Sequence, residues 1–119
     1  MITAFSKDLV KKIDMVPFGE PQVHHFGTGN KAGYTLVQLI ETSNIIAHFV
    51  EETDDMYLDV FSCKEFSPET VRTIVDNYFH PRAVSYQLLQ RQAPFVRCSA
   101  ASSILDFRPV GSSSPPKLT

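Results

Sequence analysis

Cysteine is scarce in this chain: Cys63 and Cys98 are the only two in 119 residues. That is too few for a disulfide scaffold, and their spacing does not match a metal-ligand pattern. Charge of one sign is also lacking, since 11 Lys and Arg face 13 Asp and Glu for a net charge of -2. A protein built to hold phosphate backbones needs clustered cations, so nucleic acid is excluded as the expected partner. No apolar run approaches the ~20 residues needed to span a bilayer, and no membrane contact is expected. The first residues, Met-Ile-Thr-Ala-Phe-Ser-Lys, lack a basic region followed by an apolar stretch, so no signal peptide is expected. These absences point to a cytoplasmic protein.

What is present suits one small domain. Hydrophobic residues make up 43% of the chain and aromatics 11%, enough for a core. A domain this short buries a smaller share of its surface than a large one, so association would help it. Ser6 reads as the cap of a short helix with Leu9, Val10 and Ile13 on one side, broken by Pro17, Gly19 and Pro21. Residues Gln22 to Phe26 read as a strand. The cluster Gly27, Gly29, Asn30 and Gly33 reads as a turn, because its spacing matches neither common phosphate-binding motif.

Tyr34 to Ile40 and Ile45 to Val50 read as strands, and Met56 to Cys63 alternates along a third. In that third strand Tyr57, Asp59, Phe61 and Cys63 share one face and Met56, Leu58, Val60 and Ser62 the other. Apolar residues on both faces predict a sheet covered on both sides. The acidic stretch from Glu51 to Asp55 is read as a solvated hairpin tip rather than a cation site. Ser67-Pro68-Glu69 opens a helix with a capping hydroxyl and proline at its first position. Val71, Ile74, Val75 and Tyr78 then form one apolar stripe, and Pro81 ends it. Ala83 to Leu89 reads as a last strand. This order predicts an α+β fold: a two-layer sandwich with a mostly antiparallel sheet and two helices on one face. The domain is expected to span 1–97, with 98–119 a Ser/Pro-rich, disordered tail.

Three residues carry potential chemistry: Ser43, His48 five positions on, and Cys63 twenty on. Taken alone, they read better as a turn residue, a hydrogen-bonded core histidine and a small buried hydrophobe than as a catalytic set. Their context, Leu39-Ile40-Glu41-Thr42-Ser43-Asn44 followed by His48 and by Asp59-Val60-Phe61-Ser62-Cys63, resembles the prokaryotic S-adenosylmethionine decarboxylases. The likeness runs from Gly33 to Arg91 and is weak before that, where the family's first strand is expected to be missing or shortened.

The resemblance implies a self-processing enzyme. Ser43 would attack the preceding carbonyl and the chain would part between Thr42 and Ser43, leaving a pyruvoyl group made from Ser43 as the cofactor. That ketone forms a Schiff base with the substrate amine and accepts electrons as carbon dioxide leaves. His48 would be the processing base and Cys63 the proton donor, with Thr35 and Glu52 binding substrate. Imidazole is suited to base chemistry near neutral pH, and a thiol is mostly protonated there. No metal is implied. A homodimer of processed protomers is, with sheets packed face to face and each active site built from both.

Ser43 and His48 are an odd number of residues apart, so a straight strand would point them to opposite faces. They converge only if the backbone bends or if Ser43 sits at a strand end. The chain also departs from the family pattern at Thr42, Asn44 and Val50, which stand for a glutamate, a histidine and an aromatic residue that stacks on adenine; Phe49 beside Val50 would point to the other face. The default substrate is S-adenosylmethionine, feeding spermidine synthesis. The alternatives are ornithine or arginine decarboxylation on the same fold, or a non-catalytic paralogue that binds or regulates an active partner.

Overall fold

The computed structural model describes residues 1–41, 43–91 and 100–108, with residues 31, 91 and 100–108 described as backbone only. Helix α1 (Ile2–Lys12) is followed by β1 (Gln22–Phe26), a 3-10 turn at Gly29–Lys31, and the strands β2 (Gly33–Ile40), β3 (Ser43–Val50) and β4 (Met56–Ser62). Helix α2 (Pro68–Phe79) leads to β5 (Ala83–Arg91) and β6 (Ala100–Arg108). The strands form one six-stranded sheet in the order β1-β2-β3-β4-β6-β5, every pairing antiparallel. Because β4 and β5 both run antiparallel to β6, they are parallel to each other, joined through α2 with β6 filling the gap between them. The α+β sandwich expected from the sequence is the observed fold.

Alternation along the strands decides which face the helices cover. Leu36, Ile40, Ile45, Ala47, Leu58 and Val60 are buried in one cluster with Phe5, Leu9 and Val10 of α1 and Val71, Ile74 and Val75 of α2. Paired strand residues share a face, and the register Leu36↔Ala47↔Leu58 puts these side chains under the helices. Phe5 ties the helices together, with its ring 4.9 Å from Phe79 and 5.7 Å from Tyr78, both edge-on. Ser67 caps α2 by accepting the Thr70 amide, with Pro68 at the first turn, as its sequence predicts. His80 closes that helix in the left-handed region at φ 47°.

Three expectations are corrected. Ser6 is not a cap: α1 starts at Ile2, with Met1 at its N-cap, and Ser6 is fully buried inside it. The apolar periodicity of Phe5, Leu9 and Val10 overrides the capping preference of a lone serine. Both faces of the sheet are not covered within one chain either, because both helices lie on the same side. Phe26, Leu39, Ile46 and Leu89 stay 41–55% exposed on the other side, called here the open face. Finally, residues 100–108 of the expected tail form β6, hydrogen-bonded to β4 on one side and β5 on the other. Ladder pairing on both sides satisfies a backbone whose serine-rich composition reads as loop. Residues 98–99 and 109–119 lie outside the described residues. No helix among the described residues is long and apolar enough to cross a membrane.

Candidate active site

Ser43 is the first residue of β3 and pairs with Ile40, the last of β2, so two residues separate the strands. Its partner Ile40 is buried under the helices, which puts Ser43 on the helix-covered side, at the sheet's end. Its hydroxyl accepts the backbone N–H of Cys63 at 2.9 Å. Two of the three chemistry-bearing residues are therefore joined, although twenty positions apart in the chain. The link runs through the Cys63 backbone. Thr42, the other half of the expected cleavage site, lies outside the described residues.

The second cluster is on the open face. Thr35 of β2 stands directly across from His48 of β3, and its Oγ1 lies 2.9 Å from the His48 Nδ1. Paired this way, the imidazole is held at Nδ1 and leaves Nε2 as its other nitrogen for proton transfer. Across the sheet His24 is opposite Thr35, and Tyr57 opposite His48, making one row on the open face. The Phe26 ring reaches over to His48 with 6.3 Å between centroids. Phe26, His24 and Tyr57 were not singled out by sequence motif. Only strand register identifies them, because they come from β1 and β4 while the histidine they surround is on β3.

Ser43 and His48 do not converge within the chain. They are five residues apart in a regular strand, roughly 16 Å along it, and on opposite faces. Glu52 is exposed in the turn beyond the far end of β3, roughly 20 Å or more from Ser43. The Glu51–Asp55 turn is closed by Val50 N–H donating to the Asp55 carbonyl and by Thr53 Oγ1 donating to Asp55 Oδ2. Among the described residues, no group of three or more His, Cys, Asp or Glu is placed to hold a metal ion.

A family model described as S-adenosylmethionine decarboxylase matches residues 1–92. The chain belongs to that family. The match reaches back through α1 and β1, so the family likeness extends well before Gly33, where the sequence motifs are weak. It stops before β6, the strand that completes the sheet. No curated protein and no solved structure gave a match. Membership of the S-adenosylmethionine decarboxylase family makes this a decarboxylase-type chain, and the Ser43, His48 and Cys63 motif lies inside the matched segment.

Proposed function

We propose that the protein is a self-processing, pyruvoyl-dependent decarboxylase, with S-adenosylmethionine as its substrate and spermidine synthesis as its role. One observation carries the reading: Ser43 stands at the first position of β3, right after the junction, with a backbone donor on its hydroxyl. A group made from Ser43 would occupy a strand end beside the Cys63 amide, so the residues present suit it.

The cleavage step balances with this chain's own atoms and one water. Ser43 Oγ bonds to the carbonyl carbon of residue 42 while that carbon's bond to nitrogen breaks, and the hydroxyl proton passes through a base to the nitrogen. Loss of the Ser43 α-proton then expels residue 42 as a carboxylate. One water enters and ammonia leaves as the new N-terminus becomes the pyruvoyl group. The Cys63 N–H stabilises negative charge on the Ser43 oxygen as it becomes part of the leaving carboxylate, in the manner of an oxyanion-hole donor. When formed, the group supplies a carbonyl that takes up the substrate amine and accepts the electron pair released with carbon dioxide. We assign the Cys63 thiol to proton donation, Thr35 and His48 to orienting and moving protons, and Glu52 to the substrate's hydroxyls.

A homodimer is part of the proposal. The exposed Phe26, Leu39, Ile46 and Leu89 on the open face support a second copy packed there. A second reading, a non-catalytic paralogue, is favoured by one observation: His48 and Ser43 are on opposite faces of β3. Denaturing electrophoresis with intact mass measurement separates the two readings. Self-processing gives fragments 1–42 and 43–119, and Ser43→Ala gives one unbroken chain. A wild-type chain that stays whole through long incubation overturns the enzymatic reading. Release of carbon dioxide from labelled S-adenosylmethionine, rather than from ornithine or arginine, identifies the substrate.

A further inference from the structure

The amide that meets Ser43 is aimed by its two neighbours in the chain, Ser62 and Lys64. Ser62, 1% exposed, both donates its hydroxyl to the Lys64 carbonyl at 2.7 Å and accepts the Lys64 N–H at 2.9 Å. These two bonds close a tight turn around Cys63, directly after β4 ends. The Lys64 ammonium then reaches Asp14, fifty residues earlier, donating to its carbonyl at 2.7 Å and its Oδ2 at 2.8 Å. Met15 touches the same turn, with its Sδ 3.6 Å from Ser62 Oγ. The next residues hold the other side of the junction: Glu41 N–H donates to the Val16 carbonyl at 2.9 Å and Phe18 N–H to the Leu39 carbonyl at 2.8 Å. One linker, Asp14 to Phe18, thus holds both the end of β2 and the turn whose Cys63 N–H meets Ser43.

We propose that Ser62 and Lys64, tethered to Asp14, are positioning residues that hold the Cys63 amide on the Ser43 hydroxyl for self-cleavage. The inference rests on the self-processing reading and deepens it. The Asp14 side chain is 92% exposed and that of Lys64 57%, so their ion pair adds little to folding. Lys64→Met and Asp14→Asn therefore leave the fold intact, and asparagine tolerates the left-handed backbone that Asp14 adopts at φ 60°.

The test measures two quantities on the full chain: the rate of cleavage after rapid refolding, and hydrogen exchange of the Cys63 amide. Ser62→Ala is expected to slow cleavage about tenfold or more, and Lys64→Met roughly threefold to fivefold, each with faster Cys63 exchange. Lys64→Arg, which keeps the charge, should cleave within about twofold of wild type. Folded Ser62→Ala and Lys64→Met proteins with wild-type cleavage and wild-type Cys63 exchange overturn the proposal. If Ser62→Ala fails to fold, Lys64→Met decides alone. If the wild-type chain never cleaves, the self-processing reading fails, and the exchange measurement in the Ser43→Ala background still decides whether these residues hold the amide.

Discussion

Thr35 and His48 face each other across two adjacent strands with 2.9 Å between hydroxyl oxygen and Nδ1. The bond fixes the imidazole plane and leaves Nε2 to exchange protons. Thr35→Val, close in volume but without the hydroxyl, should free the ring and change the tautomer signature of the His48 imidazole. Thr35→Ser should keep the wild-type signature. Ring 15N chemical shifts show both, and identical spectra for wild type, Val and Ser would mean that Thr35 does not hold the ring.

The exposed Asp14 and the half-buried Tyr78 both titrate away from their ordinary values. The Lys64 ammonium, through its hydrogen bond and its charge, lowers the pKa of Asp14 below 3.8. That contribution is present above about pH 4 and is lost as pH falls through the lowered value. Tyr78 titrates above 10.0 because of desolvation first, then its hydrogen bond to Asp8 and that carboxylate's charge. Its contribution is complete below pH 10 and disappears as pH rises through the raised value. Tyr78→Phe should flatten the alkaline limb of a denaturation-versus-pH curve, while Asp14→Asn should change the acid limb only slightly, because its ion pair with Lys64 is solvent-exposed. An unchanged alkaline limb in Tyr78→Phe would contradict the first assignment.

Ser6 is the weak point of the core. Its hydroxyl is fully buried in α1 with no hydrogen-bond partner. Ser6→Ala removes that desolvation cost and improves helix propensity, which should stabilise the fold by about 1 kcal/mol. A rise of several degrees in thermal midpoint is expected, roughly 4–8 °C for a domain of this size. A fall would mean that the hydroxyl has a partner in solution.

Gly33 tolerates no side chain. A Cβ built there would overlap the Phe49 carbonyl oxygen on the paired strand, and backbone cannot yield as a side-chain tip can. Gly33→Ala should destabilise by more than about 2 kcal/mol through forced separation of β2 and β3. Urea denaturation measures this directly, and a loss under about 0.5 kcal/mol would show that the strands can part there.

Some of this was legible because the signals are local. Ser67-Pro68 marks a helix start through capping chemistry confined to one turn, and the stripe of Val71, Ile74 and Val75 repeats within it. Strands β2, β3 and β4 announce themselves by alternation and punctuation within a few residues. The serine-rich run 100–108 shows no such pattern. Its pairing depends on a gap between β4 and β5 that exists only once α2 has crossed over.

The candidate site divides along the same line. Ser43, His48 and Cys63 stand out through the family motif, and their odd spacing puts Ser43 and His48 on opposite faces of a straight strand. The amino-acid order by itself determined the α+β class, through local periodicity, and the identity of these groups, through the family motif; their opposition also needed the straight run of β3. Tertiary structure alone decided that the Cys63 amide meets Ser43, that Phe26 leans over His48, and that Asp14 anchors Lys64. Those pairs come from residues 20 to 50 positions apart. Only strand register and turn geometry bring groups that distant within hydrogen-bonding or ring-contact range.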